Sequence, residues 1–400
     1  MRRVVIVGAG SINALGVGVE AFADGLRTGR CGVGLLSLFD SASYRSSCAA
    51  EVRDLAAPAW LPAPLARRAS RSDLLALIAA HEAVGAAGLD GDRTGVGVVL
   101  GATTGGMFSS EEQQRRRLLA LPLLRRSVMP ATLVSTSTNL LASVFGCYGP
   151  RLTVSTACSS GGNALGIAAD WIRTGRAHAV VCGGVDSLCR MTFSGFNALQ
   201  ALDTVPCRPF DRERAGLSLG EGAAMFVLED AERAHARGAT ILAEFLGSGV
   251  SADAHHITQP RPDGAGALLA MQRALHESGV TADEIDYVNA HGTATPLNDV
   301  LETRALKALL GPRAYRVPVS STKSMVGHCL AAAGAIEALA CVLALRGGFL
   351  PPTVNLEHPD PECDLDYVPT RSRAQSIRTA LSNSYGFGGN NTSVVLRAWG

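Results

Sequence analysis

Two segments of this chain read as the same local structure 165 positions apart, and that constrains the fold more than any other feature. Aligning Val154–Ala169 with Val319–Gly334 repeats Val, Ser, Ser, Gly, Leu and Ala at 154/319, 155/320, 159/324, 162/327, 165/330 and 168/333. Each segment opens with a short β-branched run, passes a serine-rich turn and enters an alanine-rich stretch. That is the pattern of strand, tight turn and helix. A duplicated half of this kind builds two similar sheets facing each other across a pseudo-two-fold axis. It predicts halves at 1–240 and 241–400. It also places Cys158 and the Lys323–His328 turn at corresponding positions, converging on one site.

The rest of the chain follows the same grammar. Val4–Val7, Gly95–Leu100, Leu152–Ser155, Ala179–Cys182, Met225–Leu228, Tyr287–Ala290, Val317–Ser320 and Ser393–Leu396 read as strands. Val17–Thr28, Ser72–Gly88, Gly161–Arg173, Asp230–Arg237, Gly264–Ser278, Asp299–Leu310 and Leu330–Leu345 read as helices. Alternation of this kind predicts an α/β protein whose sheets are covered by helices. Gly8-Ala9-Gly10-Ser11 opens like a dinucleotide fingerprint, but Asn13 stands at its sixth position and no acidic residue follows on a second strand. It is read as tight strand–helix packing.

With 47% hydrophobic residues in 400, the chain can bury a large core. A net charge of +1 argues against nucleic-acid binding. Arg115-Arg116-Arg117 and Arg125-Arg126 could meet an acidic protein, although a solvated helix face is the simpler reading. The ten cysteines are scattered without a CxxC pair, which speaks against zinc and for reduced thiols in a cytoplasmic setting. The apolar run at Val4–Val7 is too short for a signal peptide, and no membrane span is expected.

Four segments carry residues suited to chemistry. In Thr153-Val154-Ser155-Thr156-Ala157-Cys158-Ser159-Ser160-Gly161-Gly162 a strand ends, the chain turns at Cys158 and a helix begins. Free N–H groups and the helix dipole at that point favour thiolate. Val288-Asn289-Ala290-His291-Gly292-Thr293-Ala294-Thr295-Pro296 brings His291 to the tip of another strand. Ser320-Ser321-Thr322-Lys323-Ser324-Met325-Val326-Gly327-His328 delivers Lys323 and His328 into a turn. Asn383-Ser384-Tyr385-Gly386-Phe387-Gly388-Gly389-Asn390-Asn391 is a glycine-rich loop before the last strand. A cysteine with a histidine suits acyl transfer through a thioester. A second histidine suits two N–H donors on one thioester oxygen, as a Claisen condensation requires.

With these motifs in view, the sequence resembles the elongating, type II-like β-ketoacyl-acyl-carrier-protein synthases of the thiolase superfamily. The Cys158 motif, Arg208-Pro209-Phe210-Asp211 with Gly220-Glu221-Gly222, His291-Gly292-Thr293, Lys323 with Gly327-His328, and Gly386-Phe387-Gly388-Gly389 occur in family order. The resemblance implies a thiolase-like duplicated five-layer α/β/α/β/α fold, usually an obligate dimer. It implies that Cys158 takes an acyl chain from acyl carrier protein, with the N–H groups of Cys158 and Phe387 as oxyanion hole. His291 and His328, both neutral, would hold the malonyl thioester oxygen during decarboxylation. Lys323, paired with Glu302, would set the electrostatics. Thr293 and Thr295 would contact the pantetheine arm, Phe387 would gate the two sites, and Asp253 and Gly388 would lie in the mobile loops beside them. Thr103 or Thr104 falls in the region lining the acyl pocket, and Thr104 is taken as the substrate contact.

No cofactor is required by this chemistry. Some relatives hold a structural monovalent cation, at positions matching Asn289, Ala290, Glu337, Ser382 and Asn383. The implied partners are acyl- and malonyl-loaded carrier protein and either a second copy or a chain-length-factor-like subunit. Ala331, Val326 and Asn390 depart from the family pattern of Gly, Thr and Thr. They point to a specialised branch, so a type II polyketide or aryl-polyene-like pathway stands beside fatty-acid elongation. A thiolase would need a second cysteine, and Cys363 in Glu362-Cys363-Asp364 does not match its motif. An initiating synthase would have Asn in place of the second His. A non-catalytic chain-length subunit would lack Cys158.

Overall fold

A computed structural model describes residues 2–89, 91 and 93–400. Its first strand, β1 (Val4–Asn13), is buried at every position, so its residues are apolar or small throughout instead of alternating. The first half continues with β2 (Val96–Gly101), β3 (Arg151–Val154), β4 (Ala179–Asp186) and β5 (Gly222–Asp230), lying side by side in the order β1-β5-β4-β2-β3. The second half has β6 (Ala243–Ala252), β7 (Tyr287–Asn289), β8 (Val319–Ser320), β9 (Thr379–Gly386) and β10 (Asn390–Arg397), in the order β6-β10-β9-β7-β8. In both halves the first strand lies beside the fifth, then come the fourth, second and third. The duplication read from one short alignment is therefore a property of the whole topology.

The two sheets are not separate. β1 pairs antiparallel with β6, Val4 opposite Phe245 and Ile6 opposite Ala243, which joins them into one sheet, of 11 strands once the short Gly16–Val17 strand beside β1 is included. The register slips between Ile6 and Gly8 on β1 and at the equivalent place, between Phe245 and Gly247, on β6. Such bulges bend a strand and increase its twist.

Besides Val19–Thr28 and a few helices of four to six residues, the helices are α1 (Arg71–Ala87), α2 (Met107–Leu118), α3 (Thr136–Val144), α4 (Ser160–Arg173), α5 (Arg190–Ala198), α6 (Ala265–Ser278), α7 (Pro296–Leu310) and α8 (Ala333–Gly347). Most of them pack into three large apolar cores, while Phe193 of α5 joins a smaller fourth cluster with Phe39 and Leu217. Ala164, Leu165 and Ala168 of α4 meet Ile336, Leu339 and Ala340 of α8 in a central core between the sheets. Leu75 and Ala79 of α1 with Leu141 of α3 fill the outer face of the first half. Met271 of α6 with Leu301 and Leu306 of α7 fill the outer face of the second. The result is the five-layer α/β/α/β/α arrangement, with each sheet's two faces covered.

Close approach sets the residue choice at two crossings. A Cβ on Gly8 or Gly10 would fall about 2 Å from the Ala83 or Ala79 carbonyl of α1, so the GxG motif serves packing. Where α4 crosses α8, a Cβ on Gly161 would lie 2.8 Å from Ala331 O, and one on Gly334 2.8 Å from Gly162 N. The stretch Leu330–Gly347 is long and apolar enough to cross a membrane by composition, but 83% of it is buried between the sheets, as a central-layer helix must be. All ten cysteines are free.

Candidate active site

The turn after β3 is strained where the nucleophile sits. Ala157 has φ of +51°, an αL conformation that a non-glycine residue adopts only when its surroundings impose it. Ser160 imposes it here: its hydroxyl donates to Ala157 O at 2.6 Å and accepts from Thr156 N at 2.9 Å. Cys158 is left at the mouth of α4, 5% exposed, on a cavity of about 410 Å³. His291, His328, Thr293, Thr295, Asp253 and Phe387 line the same cavity. Cys158 is the only cysteine lining it among the described residues; Cys363 is buried in the outer core of the second half.

The thiol's state differs from the expectation of a ready thiolate. Burial pushes it up to about 11, against the pull of the Lys323 charge and of the Phe387 backbone N–H, which donates to the sulfur. Desolvation of the charged form outweighs both of these pulls. A Cβ on Gly386 would sit 3.1 Å from Cys158 N, so only glycine lets this loop close on the turn.

Both histidines are fixed by their backbones and by one ring nitrogen. Glu302 on α7 accepts from His291 N and Gly292 N, each at 2.8 Å, while Lys323 Nζ donates to His291 O at 2.6 Å. His328 N donates to Ser218 O at 2.7 Å, and Gly220 N donates to His328 O at 3.0 Å. The Nδ1 of His291 faces Lys323 Nζ at 3.2 Å, and the Nδ1 of His328 accepts from Leu330 N at 3.2 Å. With Nδ1 an acceptor in each, the ring proton is assigned to Nε2. Burial, then the Lys323 charge, holds both well below the usual value of 6.5; His328 further lowers His291. The rings lie edge to face with centroids 5.4 Å apart.

One expected pairing is corrected. The ion-pair partner of Lys323 is Glu337 on α8, with both side chains 2% exposed; Glu302 instead holds the other end of the His291 peptide. Both carboxylates are buried, and sequence spacing could not choose between them. Burial raises both Glu302 and Glu337 to about 7, opposed at Glu337 by the Lys323 charge.

Two of the expected substrate contacts lie off the lining of this cavity. Thr104 is buried and spends its hydroxyl on Asp186 Oδ1 at 2.8 Å, away from the cavity lining. Gly388 donates its N–H to Ile257 O at 2.8 Å, and its neighbours Phe387 and Gly389 line the cavity instead. The other contacts lie on the cavity. Thr293 and Thr295 share a hydroxyl–hydroxyl bond of 2.9 Å. Asp253 accepts from Asn391 Nδ2 at 2.6 Å and from Arg261 N at 3.0 Å. Phe387 stacks on Phe196 at 5.3 Å.

At the matching cation positions, Asn289 and Ser382 are cross-strand partners on β7 and β9, and Asn289 Oδ1 and Ser382 Oγ are buried without a hydrogen bond. Two orphaned neutral oxygens suit a hard, low-charge cation. Asn383 Oδ1 accepts from Ser393 at 2.8 Å, Ala290 N donates to Ser320 O at 2.9 Å, and Glu337 is committed to Lys323.

The sequence reading missed several residues. Ser218, two residues before the Gly220-Glu221-Gly222 motif, holds the His328 N–H, and Gly220 of that motif holds its carbonyl. Tyr385 lies within the quoted loop and packs 5.4 Å from the His291 ring. Phe196 and Leu199 on and after α5 line the cavity with no local signal of it. Of the arginine runs, Arg115 and Arg116 are bound to Glu112 on α2, as on a solvated face; the Arg126 side chain lies outside the described residues.

A five-layer fold with one buried thiol opposite two neutral imidazoles defines an acyltransferase of the thiolase-like class. The β-ketoacyl synthase N-terminal domain matches residues 1–234, and the β-ketoacyl synthase C-terminal domain matches 242–357. This chain belongs to the β-ketoacyl synthase family. It is 41% identical to 3-oxoacyl-[acyl-carrier-protein] synthase 2 of Synechocystis, covering 100% of this chain and 98% of that one. It is also 41% identical to the tetracenomycin polyketide synthase ketoacyl synthase alpha subunit of Streptomyces glaucescens, covering 99% and 97%. The solved ishigamide ketosynthase/chain length factor superposes with a TM-score of 0.94 at 36% identity, both chains fully covered.

Proposed function

We propose that this enzyme joins an acyl chain held on Cys158 to a malonyl unit on acyl carrier protein, releasing carbon dioxide and a β-ketoacyl-carrier protein. In the first step the Cys158 sulfur attacks the acyl-carrier thioester. The acyl–sulfur bond to the carrier breaks, and the thiol proton ends on the carrier's pantetheine sulfur. The N–H groups of Cys158 and Phe387 hold the oxyanion. In the second step malonyl-carrier protein places its thioester oxygen between the Nε2–H groups of His291 and His328. The carboxylate leaves as carbon dioxide, and the electron pair of that bond becomes the enolate. Its carbon attacks the acyl-Cys158 carbonyl and expels the Cys158 thiolate, which takes up one proton from solvent to restore the thiol and complete the cycle.

One observation carries this reading: both Nδ1 atoms are occupied as acceptors, so both rings present an N–H donor to the cavity. Neither ring can take a proton there without changing tautomer, which separates this site from one built around a general base. Lys323 and Glu302 act as positioning residues on the His291 peptide. Thr293 and Thr295 would meet the pantetheine arm, Asp253 would brace the loop beside it, and Phe387 would gate the cavity. A monovalent cation held by Asn289 and Ser382, with the Ala290 carbonyl and Asn383 nearby, would stiffen the strand ends beneath His291.

Fatty-acid elongation and a specialised polyketide pathway both use this chemistry. β3 is the outer strand of the sheet, with Leu152 exposed, which suits pairing with a second copy or a chain-length-factor-like subunit. Ten free cysteines suit the cytoplasm. The experiment is mass spectrometry of products from a panel of acyl-carrier proteins with malonyl-carrier protein. A β-ketoacyl product two carbons longer than the primer is expected; thioester exchange without carbon dioxide release would overturn the reading.

A further inference from the structure

Asp186 ends β4 with no solvent exposure, and among the described residues it makes no ion pair. Its carboxylate instead receives five hydrogen bonds. Oδ1 accepts from Thr103 N at 3.0 Å, Thr104 N at 2.8 Å and Thr104 Oγ1 at 2.8 Å. Oδ2 accepts from Thr103 Oγ1 and, across the site, from Ala331 N at 2.9 Å. Burial raises this carboxyl above its usual value, and the bonds from Thr103, Thr104 and Ala331 pull the other way. Four bonds secure the loop after β2; the fifth reaches the turn that carries His328.

That turn is strained. Leu330 has φ of +50°, sparsely populated for leucine, and it lies between His328 and Ala331. In this conformation Leu330 N reaches His328 Nδ1 at 3.2 Å. β4 presses on the same turn, since a Cβ on Gly184 would fall 2.7 Å from Ala331 O. The geometry points to Asp186 as a positioning residue for decarboxylation: by pinning Ala331 N it holds Leu330 in its left-handed conformation, and so keeps the His328 proton on Nε2, facing the cavity. This inference rests on the proposed donor role of His328. Nothing in the Asp186 sequence context announces it, because the link runs from one half of the chain to the other.

The test is Asp186→Asn, which presents an amide NH₂ to a shell made only of donors. Two readouts are taken: malonyl-carrier decarboxylation relative to Cys158 acylation, and the ¹⁵N resonances of His328, assigned with His328→Gln. Decarboxylation is expected to fall about tenfold more than acylation, the size of a small misplacement of a reacting group, with His328 shifting toward a mixture of tautomers. Equal slowing of both half-reactions with an unchanged His328 signal overturns the inference. Should Asp186→Asn not fold, Asp186→Glu carries the same readouts, because the longer side chain displaces the carboxylate from Ala331 N. A wild-type enzyme with His328 protonated on Nδ1 also overturns it. A wild-type enzyme that does not condense refutes the proposed function instead.

Discussion

The first half of the molecule turns from its third strand straight into its helix, and the second half does not. α4 begins two residues after Cys158, whereas α8 begins ten residues after Lys323, the position that corresponds to it. The intervening residues hold a short helical turn at Lys323–Val326, then His328, then a second turn at Leu330–Ala332. The shared topology thus brings two strand ends to one point. The departure from symmetry equips them differently, with a thiol at a helix N-terminus on one side and a buried cation and an imidazole on the other.

The comparison breaks most sharply if the second half is not needed for decarboxylation. His291→Ala and His328→Ala are each expected to slow malonyl decarboxylation by about 10²–10³, the usual loss for one oxyanion donor. Each should still acylate Cys158. Wild-type decarboxylation in either variant would end the donor assignment.

The halves should also differ in their response to pH. Because the Cys158 thiol lies at about 11, thiolate-dependent alkylation should rise roughly tenfold per unit between about pH 7 and 10. Decarboxylation should stay level between about pH 8 and 10, where both imidazoles are neutral and Glu302 and Glu337 are ionised, and should fall well below 6.5 as the imidazoles protonate. Parallel profiles for the two half-reactions would contradict the separation. Stability follows the histidines in the same direction. Their folded values lie below the unfolded one, so their contribution is present above 6.5 and is lost as pH falls.

A smaller effect sharpens the packing side of the comparison. Gly334→Ala, at the crossing of α4 and α8, should cost about 1–3 kcal/mol, because its Cβ meets Gly162 N and Ser384 Oγ. Gly85→Ala on α1 meets nothing within 4 Å and should stabilise by about 0.5–1 kcal/mol. Melting temperatures that move in the same direction would refute this account of the central layer.

Much of this was legible in the sequence where burial leaves a one-residue-type signal. The four chemical segments sit at strand ends, and strand ends flanked by Gly and Ser stand out. β6, with the sequence AEFLGSGVSA, was missed because Gly and Ser dilute the β-branched pattern, and its register with β10 is set by partners far along the chain. β9, TALSNSYG, is buried along almost its whole length yet polar at Ser382, Asn383 and Ser384, so it shows no β-branched run. α2 has no buried residue and so no apolar period to find. The partner of Lys323 was misassigned because Glu302 and Glu337 are equally plausible along the chain; only the path of α8 decides. The burial that raises the Cys158 thiol is set by residues far along the chain, whereas the helix terminus beside it is visible in sequence.

The most direct measurement is intact-protein and peptide mass spectrometry after incubation with an acyl-carrier protein and no malonyl donor. The account predicts one acyl group per chain, on the peptide containing Cys158, and none on Cys158→Ala. Acyl transfer to another residue, or an acylated Cys158→Ala protein, would contradict it.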